Sequence, residues 1–174
     1  MHAQLTDHNT ERLFIRMLTE DDVDTWELFF KDTDVFEYYP STMQYNENYA
    51  RDWISKQIQR YQDEGFGLMA LIEKDSGILI GQCGLISQQL DGLEEVEIGY
   101  HIMKEYRGKG YATEAAQHFK KVAFNQLFLD SVISIIHPEN VACQMVASRN
   151  GMTKEKSTLW QDMKAFVYRV AQEK

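Results

Sequence analysis

Cysteine and proline are scarce in this chain, with two of each among 174 residues, and each shortage removes a class of structure. Cys83 and Cys143 sit in apolar or helical surroundings and form no C-x-x-C pair, so neither a disulfide framework nor a zinc site is indicated, and a reducing cytoplasm fits. Pro40 and Pro138 each fall beside an expected element boundary, and there is no Pro-, Gly- or Ser-rich linker, internal repeat or low-complexity tract. Long apolar runs are missing as well: nowhere does the chain approach the roughly 20 apolar residues of a membrane helix, and "MHAQLTDHNTERLFIRM" has no apolar core of an export signal. Positive charge is the minority, with 18 basic against 27 acidic residues and a net charge of −9. Such a chain repels polyanionic backbones, which argues against nucleic acid as the main partner and slightly favours an amine-bearing one. His101, His118 and His137 are spaced for no metal site. The expectation is one domain over residues 1–174, cytoplasmic, with no membrane, nucleic-acid or metal partner and with a homodimer admitted.

What is present is an apolar content of 44%, enough for one substantial core. "RLFIRML" alternates apolar and polar residues as a strand does. "TEDDVDTWELFF" follows with Thr19 as helix cap and Val23, Trp26, Phe29 and Phe30 on one face, and "NENYARDWISKQIQRYQDEG" gives a second helix closing at Gly65. The pattern then changes to "FGLMALIE", "ILIGQCGLI" and "LEEVEIGYHIM", separated by the turn-rich breaks "KDSG" and "QQLDG", which predicts three successive antiparallel strands. A helix from Lys109 onward and the buried strand "SVISII" make a crossover, hence a parallel pair, and Asn140 caps a short helix before the hairpin "TKEKSTLW"/"MKAFVYRV". The predicted fold is mixed α/β: a mostly antiparallel sheet of about seven strands with a parallel central pair, flanked by about four helices.

"MKEYRGKGYATEA" (Met103 to Ala115) joins the strand "EVEIGYHIM" to the following helix, so its glycines expose main-chain N–H groups at a helix N-terminus, a geometry that binds anions. A Walker A loop is excluded because Gly110 follows Lys109 where a hydroxyl is needed. A dinucleotide fingerprint is excluded because Thr113 occupies the third glycine position and no acid ends the next strand. Two glycines making only a tight turn is the remaining structural alternative.

With "TERLFIRMLTEDD", "IGQCGL", "EIGYHIMKEYRGKGYATEA" and "HPENVACQMVASRNGM", the chain resembles the GNAT N-acetyltransferases over nearly its whole length, especially the branch that acetylates ribosomal-protein N-termini. The resemblance implies the GNAT fold and acetyl-CoA as co-substrate. It also implies a pyrophosphate loop at Gly108 and Gly110, with backbone amides from Arg107 through Lys109 and Tyr111 to Ala112 cradling the phosphates. Glu105 stands where the family's loop has Gln or Arg, while Lys104, Arg107 and Lys109 supply compensating charge. Asn140 matches the family asparagine that bonds the pantetheine arm. Cys143 stands where many relatives have Ser, and Ala147 where others have a tyrosine acid.

Acetylating an amine requires a neutral nucleophile, a polarised thioester and a departing thiolate. An aliphatic ammonium with a pKa of about 10.4 needs a carboxylate to take its proton. Glu97, in the family's "E-I-G-Y" position, is the first candidate and Glu95, on the same strand face, the second; both as plain solvent-facing charges is the alternative. Cys143 is a candidate proton donor to the thiolate, or only a packed side chain. By resemblance of fold, N–H groups near Ile102, Met103 and Lys104, splayed by a bulge, hold the oxyanion. The loop "DVFEYYPSTMQYNENY" lines the acceptor groove in the family, so Phe36, Tyr38, Tyr39 and Tyr45, with Glu37 and Glu47, are expected around the amine. The acceptor is a small-molecule amine or a protein N-terminus. A non-catalytic acyl-CoA-binding sensor is the competing class.

Overall fold

A computed structural model describes residues 6–174. In chain order it contains β1 (His8–Asn9), β2 (Leu13–Arg16), α1 (Val23–Lys31), α2 (Tyr49–Asp63), β3 (Leu68–Glu73), β4 (Leu79–Leu90), β5 (Leu93–Ile102), α3 (Tyr111–Asn125), β6 (Ser131–Ile136), α4 (Val141–Arg149), β7 (Thr153–Trp160) and β8 (Met163–Ala171). One sheet takes all eight strands in the order β1-β2-β3-β4-β5-β6-β8-β7. Every neighbouring pair is antiparallel except β5 and β6, which α3 connects as a parallel crossover.

Strand periodicity sorts the core into two layers. Met69 and Leu71 of β3 point to the α3 side, where they meet Ala115, Phe119 and Val122, while Ala70 between them points to α1 and α2. On that second side Trp26 is fully buried and stacks on Phe29 with ring centroids 4.4 Å apart. Trp26→Ala is expected to cost about 3–5 kcal/mol, the range for deleting a fully buried aromatic ring, read as a lower urea midpoint with an unchanged slope.

The mixed sheet with its parallel pair and four α-helices agrees with the expected class, and two details differ. The described residues form eight strands rather than about seven, because the short β1 pairs with β2 at His8–Ile15 and Asn9–Phe14, in a polar stretch with no alternation to reveal it. β4 also runs to Leu90, so Gln88 and Gln89 belong to the strand and only Asp91 and Gly92 turn, with φ of +50° and +79°. That extension carries Gln88 to the site.

Candidate active site

The parallel pair is where the sheet opens. β5 and β6 share one register, Glu97 with Ile133, and no further ladder joins them toward Ile102. At the far end of β5 the chain makes a 3-10 turn over Lys104–Tyr106 and enters α3 through Gly110, the N-cap, at φ +85°. Gly108 also has positive φ, +75°, and a Cβ built there would meet nothing within 4 Å. Among the described residues, the main-chain N–H groups from Gly108 to Thr113 have no hydrogen-bond acceptor, so several donors converge at the positive end of a helix. The loop is braced from behind. Arg12 donates through Nη1 to the Lys109 carbonyl (2.8 Å) and through Nε to Glu114 (2.7 Å), its guanidinium lies 4.2 Å from the Tyr111 ring centroid, and Arg107 Nε donates to the Ile102 carbonyl (2.9 Å).

A cavity of about 1190 Å³ runs from this loop past the opening between β5 and β6 to α2 and the segment between α1 and α2. Glu97 lies in its wall. One carboxylate oxygen accepts from Gln88 Nε2 at 2.8 Å, and the other accepts from the Ile135 N–H at 3.3 Å, across the opening. Desolvation pushes its pKa up to about 7, against the lowering effect of those two donors and of Arg60. Glu95, two residues earlier, is outside the cavity. Both its oxygens are taken by Arg169 of β8, at 2.6 and 3.0 Å, and that pairing holds its pKa below the usual carboxylate range. A carboxylate so held is a poor proton acceptor near neutral pH, which removes Glu95 as the second candidate base.

Asn140 caps α4, its side-chain oxygen accepting from the Cys143 N–H at 3.1 Å. The partly buried Cys143 thiol lines the cavity, and burial pushes its pKa up to about 11. Tyr100 donates its hydroxyl to the Cys143 carbonyl at 2.9 Å and is held protonated by burial. On the other wall the Tyr39 hydroxyl and His101 Nδ1 are 2.6 Å apart, and burial lowers the His101 pKa to about 4, so the imidazole is neutral. Tyr38 lies against His137, centroids 5.3 Å apart.

The remaining candidates separate by contact. Ile102, Arg107, Gly108, Gly110, Tyr111 and Ala112 line the cavity. Tyr111 does so with its hydroxyl committed to Glu73. Lys104 sits between Asp32 (3.6 Å) and Asp34 (3.4 Å), and Lys109 Nζ lies 5.2 Å from the Tyr106 ring. Met103 is 7% exposed and its N–H donates to the Ile80 carbonyl at 2.9 Å; the β4–β5 register is continuous, so the expected bulge and the free donor at Met103 are absent. Phe36 is not in the cavity wall but packs on Phe30 and Tyr49, at 5.7 and 5.6 Å, as part of the α1–α2 core. Arg60, Gln88, Tyr100 and His101 were not foreseen at the site. For Arg60 a signal existed: Trp53, Gln57 and Arg60 continue one helical face with polar residues where apolar ones belong. Among the described residues no cluster of three or more His, Cys, Asp or Glu side chains is arranged to hold a metal, and no helix is long and apolar enough to cross a membrane.

Residues 12–153 match the family of acetyltransferase (GNAT) domains. The chain belongs to this family. It is 31% identical over 85% of its length to YkkB of Bacillus subtilis (strain 168), covering 86% of that protein, and 30% identical over 88% to the N-acetyltransferase p20 of Bacillus licheniformis, covering 84%. The crystal structure of an acetyltransferase from Agrobacterium tumefaciens superposes with a TM-score of 0.82 at 26% identity over 96% of this chain and 95% of the other. Ribosomal-protein acetyltransferases are among the solved structures that share its fold. As a GNAT protein with relatives named as N-acetyltransferases, the chain is an acyltransferase of this class, for which acetyl-CoA is the expected co-substrate.

Proposed function

We propose that this protein transfers the acetyl group of acetyl-CoA to a primary amine by direct attack in a ternary complex, with Glu97 as general base. The observation that carries this is one cavity that joins an acceptor-free row of helix N-terminal N–H groups to a carboxylate whose pKa is about 7. The row suits the pyrophosphate of the co-substrate, and Arg107 adds positive charge beside it. Asn140, already the cap of α4, stands at the pantetheine arm. A base with a pKa near 7 is ionised often enough to act at neutral pH yet basic enough to take the amine's proton. The thiol leaving group has a pKa of about 8.5 and departs with little help. Cys143, and Tyr100 beside it, hold protons next to the cavity that can meet the thiolate. Tyr38 and Tyr39 give the amine an apolar approach. The branch resemblance favours a protein N-terminus as acceptor over a small molecule, and two free cysteines suit the cytoplasm.

One observation favours a sensor without turnover: Ala147, 1% exposed, offers no acid, and Cys143 is a reluctant one. Binding and turnover separate the two. Acetyl-CoA should raise the melting temperature, with about 2.7 kcal/mol of stabilisation at a hundred times Kd, and desulfo-CoA should do the same while ATP and NAD do not. Thiol release and acetylated product across an amine panel establish transfer; binding without either establishes the sensor, and no shift at millimolar acetyl-CoA removes both.

A further inference from the structure

Arg60 is an arginine without a carboxylate. Arg12, Arg16, Arg107 and Arg169 each have an acidic side chain within 4 Å. Arg60, partly buried in the cavity wall, has none among the described residues, although burial works against its charge. It is nevertheless held in place. Gln57, 2% exposed, accepts through Oε1 both from the Leu68 N–H (3.0 Å) and from Arg60 Nη1 (3.2 Å). That bond is the one acceptor the guanidinium has among the described residues, so the rest of its planar fork of donors is left to solvent or to a ligand in the cavity that Arg60 lines. Lys56, one helical turn earlier and exposed, lines the same cavity and forms no ion pair among the described residues.

We propose that Arg60, supported by Lys56, binds an anionic group that the acceptor carries close to its amine: a carboxylate or phosphate a few bonds away. The proposal rests on the acetyl-transfer assignment above. Arg60 and Glu97 line the same cavity and form no ion pair with each other, and Glu64 at the end of α2 acts on Arg60 only as an exposed, screened charge, so the guanidinium is open to an anion while the carboxylate serves the amine. Asp34, Glu37 and Asp52 also line the cavity, but all three are exposed, so water and salt screen them more than the partly buried guanidinium. A free amino-acid-like metabolite and an acidic protein N-terminus carry the same chemistry.

Matched acceptors test this and distinguish the sources: free amino acids against their amides, and peptides beginning Ala-Asp-Glu against Ala-Asn-Gln. The protein should prefer the anionic member of at least one pair by about ten- to a hundredfold in kcat/KM, the worth of a charge-assisted hydrogen bond or two. In Arg60→Gln that ratio should fall toward unity, chiefly through KM; a ratio taken within one variant cancels whatever the change does to Glu97. Arg60→Glu should reverse the ratio and Arg60→Lys retain part of it. Equal treatment of both members by the parent, or a ratio untouched by Arg60→Gln, overturns the anion seat and leaves acetyl transfer standing. Should no amine be acetylated while glutarate or inorganic phosphate raises the melting temperature of the parent and not of Arg60→Gln, the seat stands and the transfer assignment falls.

Discussion

Gly110→Glu is expected to fold and to lose acetyl-CoA binding, with Kd weakened by at least about a hundredfold. Gly110 caps α3 at φ +85°, a conformation costing an ordinary side chain on the order of 1–2 kcal/mol, which a whole domain absorbs. Space is not the obstacle, since a Cβ there meets only the tip of Arg12, at 3.4 Å. The consequence is electrostatic. A carboxylate at a helix N-terminus is itself stabilised by the unpaired N–H groups, so Glu at this position would occupy the seat proposed for the pyrophosphate and repel what remains. Gly77 supplies the control: its φ is +70°, a Cβ there meets nothing, and it lies in the β3–β4 turn. Gly77→Glu carries the same strain and charge and should bind acetyl-CoA as the parent does. Calorimetric titration decides between them, and unchanged affinity in Gly110→Glu moves the phosphate site elsewhere.

The strand and helix order was legible because its signals are local. Val23, Trp26 and Phe30 repeat at helical spacing, "SVISII" is short and mostly apolar, and Asn140 announces a cap three residues before the N–H it accepts from. What was not legible depends on which strands become neighbours. Glu95 and Glu97 are equivalent in sequence, on one face of one strand, and Arg169 from the far end of the chain separates them by taking both oxygens of Glu95. Gln88 reads as part of a polar turn, yet the β4–β5 register brings its amide onto the Glu97 carboxylate.

The aromatic segment between α1 and α2 divides in the same way. Phe36, Tyr38 and Tyr39 lie within four residues of each other and were expected to act together. A 3-10 turn over Thr33–Phe36 directs Phe36 into the α1–α2 core, whereas Tyr39 finds His101, on β5, and faces the cavity. Composition signalled an aromatic lining; tertiary pairing alone decided which rings supply it.

Glu97→Gln is expected to lower turnover near neutral pH by at least about tenfold, and by up to about 10⁴-fold if the whole general-base contribution is lost, while acetyl-CoA affinity is nearly unchanged. The substitution keeps the shape, and Gln88 can turn its amide to present oxygen to the new one, so the local hydrogen bonds survive. Two pH signatures separate loss of a base from loss of structure. With a Glu97 pKa of about 7, kcat/KM of the parent should rise through pH 7, and that limb should vanish in the variant, leaving only the rise that follows the acceptor's own deprotonation, so that much activity returns at high pH. Stability should move the other way. The native pKa lies above the ordinary glutamate value of 4.5, so the folded state holds a proton that the unfolded chain releases first. The resulting stabilisation is complete below about pH 4.5 and is lost as pH rises through about 7. Glutamine never ionises and escapes that loss, so relative to the parent the variant should melt higher at pH 8 than it does at pH 5. A variant with lowered activity and a lowered melting temperature at pH 8 would mark Glu97 as structural; one that turns over like the parent would leave proton removal to water.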